Sequence, residues 1–199
     1  MNIEFYFDFI SPFSYLAAVR LPLLQRATGS NIEWIPVNLP RLMKLSGNTP
    51  PGLIPNKARY LLLDLKRQAK RLQVPLKIIL PGTFDSRHAL GLACVLPDAQ
   101  RICFSIALFS QLWSGKMDVK QDGWLEKYLE QYGSHPEWQS VSNEAMTEVL
   151  QANTMRAFVA GAFGAPTFVL HYKKRRELYF GLDHMTDLQD RCIELCEEG

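Results

Sequence analysis

A strand that runs straight into a serine–proline pair constrains this chain more than any other feature. Residues 3–18 read IEFYFDFISPFSYLAA. Ile3, Phe5, Phe7 and Phe9 fall on alternate positions, with Tyr6 between two of the phenylalanines. Both faces of the stretch are therefore largely apolar, as in a strand covered on both sides. Ser11 then precedes Pro12, and the run Phe13–Val19 is apolar and long enough for a helix. A serine before a proline reads as an N-cap followed by N1, where a missing N–H costs nothing. The Ser11 hydroxyl is thus expected at the mouth of a helix that leaves a buried strand. Free backbone N–H groups and the positive end of the helix dipole meet there and favour an anion. Two readings stay open: a plain cap, or a donor to a bound anion. A thiolate is the favoured anion, because low-pKa thiols occur at helix N-termini. With no cysteine at this helix start, the thiol would come from a ligand.

The helix from Pro12 is expected to run to about Thr28, where Thr28-Gly29-Ser30-Asn31 supplies a stop. Ile32–Val37 reads as a second strand with Pro36 at its end. A right-handed crossover makes the two strands parallel neighbours. Leu39–Gly52 is rich in Pro, Gly and Asn, a loop with a short helical piece. Helical patterns follow at Asn56–Gln73, Ser86–Leu96, Asp98–Trp113, Gly123–Tyr132 and Ser142–Phe163, with Asp98 and Asp122 as N-caps. Val74–Thr83 is an extended segment bounded by prolines. The strand pattern returns at Gly164–Leu170, which carries Pro166 near its start. Lys173–Arg176 reads as a solvated hairpin turn, Leu178–Phe180 as its partner strand, and Met185–Cys196 as a last helix. The reading is α/β: a thioredoxin-like fold, β-α-β then β-β-α, with a large all-helical insert. Residues 1–38 and 151–199 form the thioredoxin-like part, and 39–150 the insert.

With 199 residues, 47% of them hydrophobic, the chain can bury a sizeable core as one domain with an insert. Lys and Arg number 22 against 20 Asp and Glu, which argues against a nucleic-acid backbone as partner. Cys94, Cys103, Cys192 and Cys196 form no C-x-x-C pair and are expected to be reduced, buried thiols. The four histidines show no metal-ligand spacing, so no metal is expected. No apolar run approaches membrane-spanning length. No signal-peptide pattern precedes the first strand, and a cytoplasmic protein is expected.

The stretches FYFDFISPFSYLA, GNTPPGLIPNKARYLLLDLKRQAKRLQVPL, GAPTFVL and YFGLDHMTDL together resemble the kappa-class glutathione transferase family. Within it, the likeness is greatest to the bacterial 2-hydroxychromene-2-carboxylate isomerases. The resemblance spans nearly the whole chain. It implies a glutathione site in which Ser11 hydrogen-bonds the glutathione sulfur, at the place of the first cysteine of dithiol relatives, and Ser14 stands at the place of the second. Pro166 matches the cis-proline, and the backbone of Ala165 would pair with the tripeptide like an added strand. Asn48 matches an asparagine of the loop over glutathione, Lys57 a basic residue nearby, and Asp183 the acid at the γ-glutamyl end. The family's next residue is usually arginine; here it is His184, shorter and only partly charged near neutral pH.

The implied chemistry is glutathione-dependent isomerisation of an aromatic 2-oxoacid by reversible thiolate addition. Phe13, Phe84 and Trp113 are expected to line an apolar slot for the small-molecule aromatic substrate, and Arg87 to face its carboxylate. A homodimer is the implied assembly. Alternatives are a transferase acting on electrophiles or peroxides, and a non-catalytic thioredoxin-like binding module. Ser11 and Ser14 leave no redox pair, and no histidine lies in a triad motif that would make Ser11 itself a nucleophile.

Overall fold

A computed structural model describes residues 1–79, 82–121, 123–132 and 142–198. Its elements, in chain order, are β1 (Asn2–Phe7), α1 (Pro12–Thr28), β2 (Asn31–Pro36), α2 (Leu39–Leu45), a 3₁₀ turn (Pro51–Leu53) and α3 (Pro55–Leu72). They continue with α4 (Arg87–Val95), α5 (Asp98–Ser114), α6 (Trp124–Tyr132), α7 (Asn143–Val159), β3 (Thr167–Tyr172), β4 (Arg175–Phe180) and α8 (Met185–Glu197). The sheet order is β2-β1-β3-β4, with β1 parallel to β2 and antiparallel to β3. This is a thioredoxin-like fold with helices entered between β2 and β3.

Alternation along β1 gives the sheet two different faces. Ile3, Phe5 and Phe7 belong to one core with Trp34, Phe168, Leu170 and residues of α1, α3, α4, α5 and α8. Phe5 sits edge-on to Trp34 at 5.0 Å and stacks on Phe168 at 5.3 Å. Tyr6 belongs to a second core, with Ile35, Val37, Leu42, Ala157, Ala160 and Val169. The insert is not detached from the sheet. α4 and α5 both pack against β2. Arg101 donates to the Ala93, Cys94 and Leu96 carbonyls at the end of α4, and to the Trp34 carbonyl on β2. It thereby satisfies orphan groups at a helix C-terminus and fixes that helix to the sheet edge.

Several local expectations need correction. β3 begins at Thr167, after Pro166, because a proline cannot donate to a ladder. β4 begins at Arg175, so only Lys173 and Lys174 turn, with Lys173 in the left-handed region at φ 54°. α7 stops at Val159, ahead of Gly161 at φ 97°. Asp98 lies in the first turn of α5 rather than capping it, and pairs with Arg101 at 2.9 Å. Asp122 lies outside the described residues. All four cysteines are free, but Cys103 and Cys196 are exposed. Among the described residues, no helix is long and apolar enough to cross a membrane, and no cluster of His, Cys, Asp and Glu could hold a metal ion.

Candidate functional site

Ser11 caps α1. Its backbone is extended (φ −93°, ψ 110°), Pro12 follows at the first helical position, and its Oγ accepts the Ser14 N–H at 3.2 Å. The hydroxyl then has one hydrogen to give, and it donates to the Ala165 carbonyl at 3.0 Å. The Ala165–Pro166 peptide is cis. Ser11 and the residue before the cis-proline, 154 positions apart, thus meet at the helix mouth. Ser14 is fully buried one turn in, and its Oγ has no hydrogen-bond partner among the described residues. Neither position carries a thiol.

The cis-proline loop is held from several sides. Thr167 Oγ1 donates to the Gly164 carbonyl at 2.7 Å, and the Gly181 N–H to the Pro166 carbonyl at 2.9 Å. Gly164 is required by close approach: a Cβ there would stand 2.8 Å from the Phe180 ring. Asn48, on the connection after α2, donates from Nδ2 to the Phe163 carbonyl at 2.9 Å. Asn48 therefore does reach the loop that Ser11 faces.

Asp183 lies exposed ahead of α8 and accepts from Gln68 of α3 at 3.1 Å. His184 is engaged with Asp187 at 2.8 Å. A cation that interacts with Asp183 is Arg20 of α1, which donates to the Leu182 carbonyl at 3.4 Å and to Thr186 Oγ1 at 3.3 Å. Burial lowers the Arg20 pKa, with help from Arg71, while Asp183 opposes them. Sequence reasoning missed Arg20 and Gln68. The available signal for Arg20 was its isolation: it is the only charged residue between Phe13 and Leu24. Lys57 is exposed in the first turn of α3.

The expected aromatic slot is only partly assembled. Trp113 is a core residue, 2% exposed, and its indole N–H donates to the Phe9 carbonyl at 3.0 Å. It braces the turn that carries Ser11 instead of lining an open slot. Phe13 is half-buried against the core, and Phe84 sits edge-on to Trp124 at 5.5 Å. Arg87 is exposed at the start of α4 and forms a fork with Asp85.

A further missed residue is Asp8, between β1 and α1. It is fully buried and accepts from the Ile10 N–H (3.1 Å), the Leu39 N–H (2.8 Å) and the Ser86 hydroxyl (2.7 Å). Burial pushes its carboxyl up to about 6 against the pull of these three donors, and Asp85 adds to the rise. Its signal was a lone acid inside the aromatic run FYFDFI.

The model of the DSBA-like thioredoxin domain matches residues 2–192. A 2-hydroxychromene-2-carboxylate isomerase of Sphingobium xenophagum is 29% identical, over 97% of this chain and 98% of that protein. Glutathione S-transferase kappa 1 of Caenorhabditis elegans is 30% identical, over 95% of this chain and 89% of that protein. A solved structure of a 2-hydroxychromene-2-carboxylate isomerase superposes with a TM-score of 0.83 at 29% identity, covering 100% of this chain and 97% of that one. Matched over residues 2–192 and along nearly its full length by these relatives, the chain belongs to the DSBA-like thioredoxin domain family, among relatives named 2-hydroxychromene-2-carboxylate isomerase and glutathione S-transferase kappa.

Proposed function

We propose that the protein is a glutathione-dependent isomerase that converts 2-hydroxychromene-2-carboxylate to trans-o-hydroxybenzylidenepyruvate. The observation that carries this reading is the Ser11 hydroxyl at the mouth of α1, 3.0 Å from the Ala165 carbonyl, in a site with no cysteine. The donor set suits the tripeptide. The Ala165 carbonyl can take an N–H from an extended peptide, as in strand addition. That contact would release the Ser11 hydrogen for the ligand's sulfur, where the α1 N-terminus adds its dipole. Asp183, whose partner Gln68 is neutral, suits a ligand ammonium. With His184 turned to Asp187, Arg20 is the better-placed cation beside Asp183 for a carboxylate.

When bound, glutathione would supply a thiolate whose addition to the conjugated carbon turns the double bond into a single bond free to rotate, its elimination then restoring the double bond and the thiol with no net redox. Asn48 and Lys57 are assigned to the peptide side of the site. Phe13, Phe84 and Arg87 are assigned to the substrate side, Arg87 toward its carboxylate.

Turnover of 2-hydroxychromene-2-carboxylate with and without glutathione tests the proposal. We expect isomerisation only with glutathione. Ser11→Ala should lower kcat about 10²–10³-fold, the cost of losing one donor to an anion, with the fold and much of the glutathione affinity kept. Wild-type protein that does not isomerise this substrate with glutathione present overturns the isomerase reading. Conjugation of an electrophile instead would point to the transferase reading, which the relatives named glutathione S-transferase kappa favour.

A further inference from the structure

We propose that Asp8 is a positioning residue which, as a carboxylate, holds the Ser11 turn, the start of α2 and the start of α4 together around the mouth of α1. The proposal rests on the glutathione reading only where turnover is concerned.

Asp8 joins three separate stretches. Oδ1 accepts from Ile10 in the Ser11 turn and from Ser86 at the start of α4, and Oδ2 from Leu39 at the start of α2. Its backbone carbonyl accepts the Ser11 N–H at 3.1 Å. The chain after α2 carries Asn48, and Arg87 is the residue after Ser86. One side chain therefore ties to the Ser11 turn the stretches that lead to Asn48 and to Arg87.

All three partners donate, so the site is complementary to an acceptor-only group. A proton on Oδ2 would face the Leu39 N–H. A proton on Oδ1 could be accepted only if the Ser86 hydroxyl reversed. Protonation must break or invert at least one of these bonds. The contacts from the Ser11 turn and from α2 are backbone amides. The charged group that bears on Asp8 is Asp85, itself paired with Arg87. Because burial pushes the Asp8 carboxyl up to about 6, its charge is lost in mildly acid solution.

The experiment has two arms, run on wild type, Ser86→Ala and Ser86→Thr. One is the pH profile of turnover with glutathione. The other is the amide-exchange protection of Ile10 and Leu39 in ligand-free protein, corrected for intrinsic exchange, from pH 5 to 8. We expect wild-type kcat to fall on the acid side with a midpoint near pH 6, and protection of these two amides to fall over the same range through local fluctuations that leave Asp8 buried, even as the whole fold gains stability from the proton. Ser86→Ala removes a donor to the carboxylate, so both midpoints should rise, by about one unit. Ser86→Thr, which keeps the hydroxyl, should restore them. A merely structural serine would lower activity without moving a midpoint.

Wild-type protection that is constant from pH 5 to 8 overturns the proposal, and this holds whether or not Ser86→Ala folds. Midpoints that ignore Ser86→Ala also overturn it. Should glutathione fail to bind at any pH while the protection step persists and moves with Ser86, the glutathione reading falls and the role of Asp8 stands.

Discussion

Glu4 and Asp8 belong to the same stretch of chain, four residues apart, and both are buried carboxyl groups. The protein handles their charge by different means. Glu4 meets a guanidinium: Arg156 reaches both Glu4 and Glu33, while the Tyr6 hydroxyl donates at 2.7 Å and His171 stands 3.2 Å away. Burial pushes the Glu4 carboxyl up, but the hydrogen bonds of Tyr6, Arg156 and His171 outweigh it and hold the pKa below its ordinary value. Asp8 meets only neutral donors, and burial wins. The contrast shows that neutral hydrogen bonds alone leave a fully buried carboxylate poised to titrate, whereas a cation beside it keeps it charged. The linkage to folding has opposite sign at the two sites. The lowered pKa of Glu4 contributes stability that is present above its unfolded value and lost as pH falls through the folded one. The raised pKa of Asp8 contributes stability that is full below its unfolded value near 3.8 and lost as pH rises toward about 6.

Removing the cation breaks the comparison most severely. Arg156→Met leaves Glu4 and Glu33 without their shared partner and should cost about 3–4 kcal/mol at pH 7, read from urea unfolding. Part of that loss should return as Glu4 takes up a proton in acid, since a neutral acid needs no cation. An unchanged midpoint would show that the pair adds nothing to folding. Next in size is the charge on Asp8 itself. Its shift corresponds to about 3 kcal/mol. The stability difference between wild type and Asp8→Asn should therefore change by most of that amount, about 2.5 kcal/mol, between pH 4 and 7, with wild type losing ground as pH rises. A difference that is flat in pH would mean that Asp8 does not titrate in this range. Tyr6→Phe takes one donor from the Glu4 carboxylate and should cost about 1.5–2 kcal/mol in the same assay, with the Glu4 pKa moving up. His171→Gln should be the mildest, within about 1 kcal/mol, because that imidazole is part-exposed.

Much of the frame was legible in the chain, because it rests on local rules. The alternation of β1, the Ser11-Pro12 cap, the Gly29 stop at φ 64° and the parallel β1–β2 pair all follow from neighbours in sequence. Partners far along the chain were not legible. Asp8 is defined by Leu39 and Ser86, 31 and 78 residues away, and sequence alone shows only an acid out of place. Trp113 was misplaced for the same reason: a tryptophan late in a helix reads alike in a slot or a core. What decides is a carbonyl at Phe9, 104 residues earlier. Arg20 and Gln68 escaped because their relation to Asp183 needs α1, α3 and the start of α8 brought together.

The two anchors of α4 carry a consequence for how the molecule comes apart. Ser86 ties its beginning to Asp8, and Arg101 ties its end to the Trp34 carbonyl of β2. Peeling the inserted helices from the sheet would leave the Asp8 carboxylate without Ser86 at one end and the Trp34 carbonyl without Arg101 at the other. Sub-global opening along that seam is therefore costly, and slow exchange should extend from β1 and β2 into α4 as one block. Sheet and insert should unfold as a single cooperative unit, and residues 39–150 excised on their own would lack Asp8 and the Trp34 carbonyl, the sheet-side partners of the two anchors.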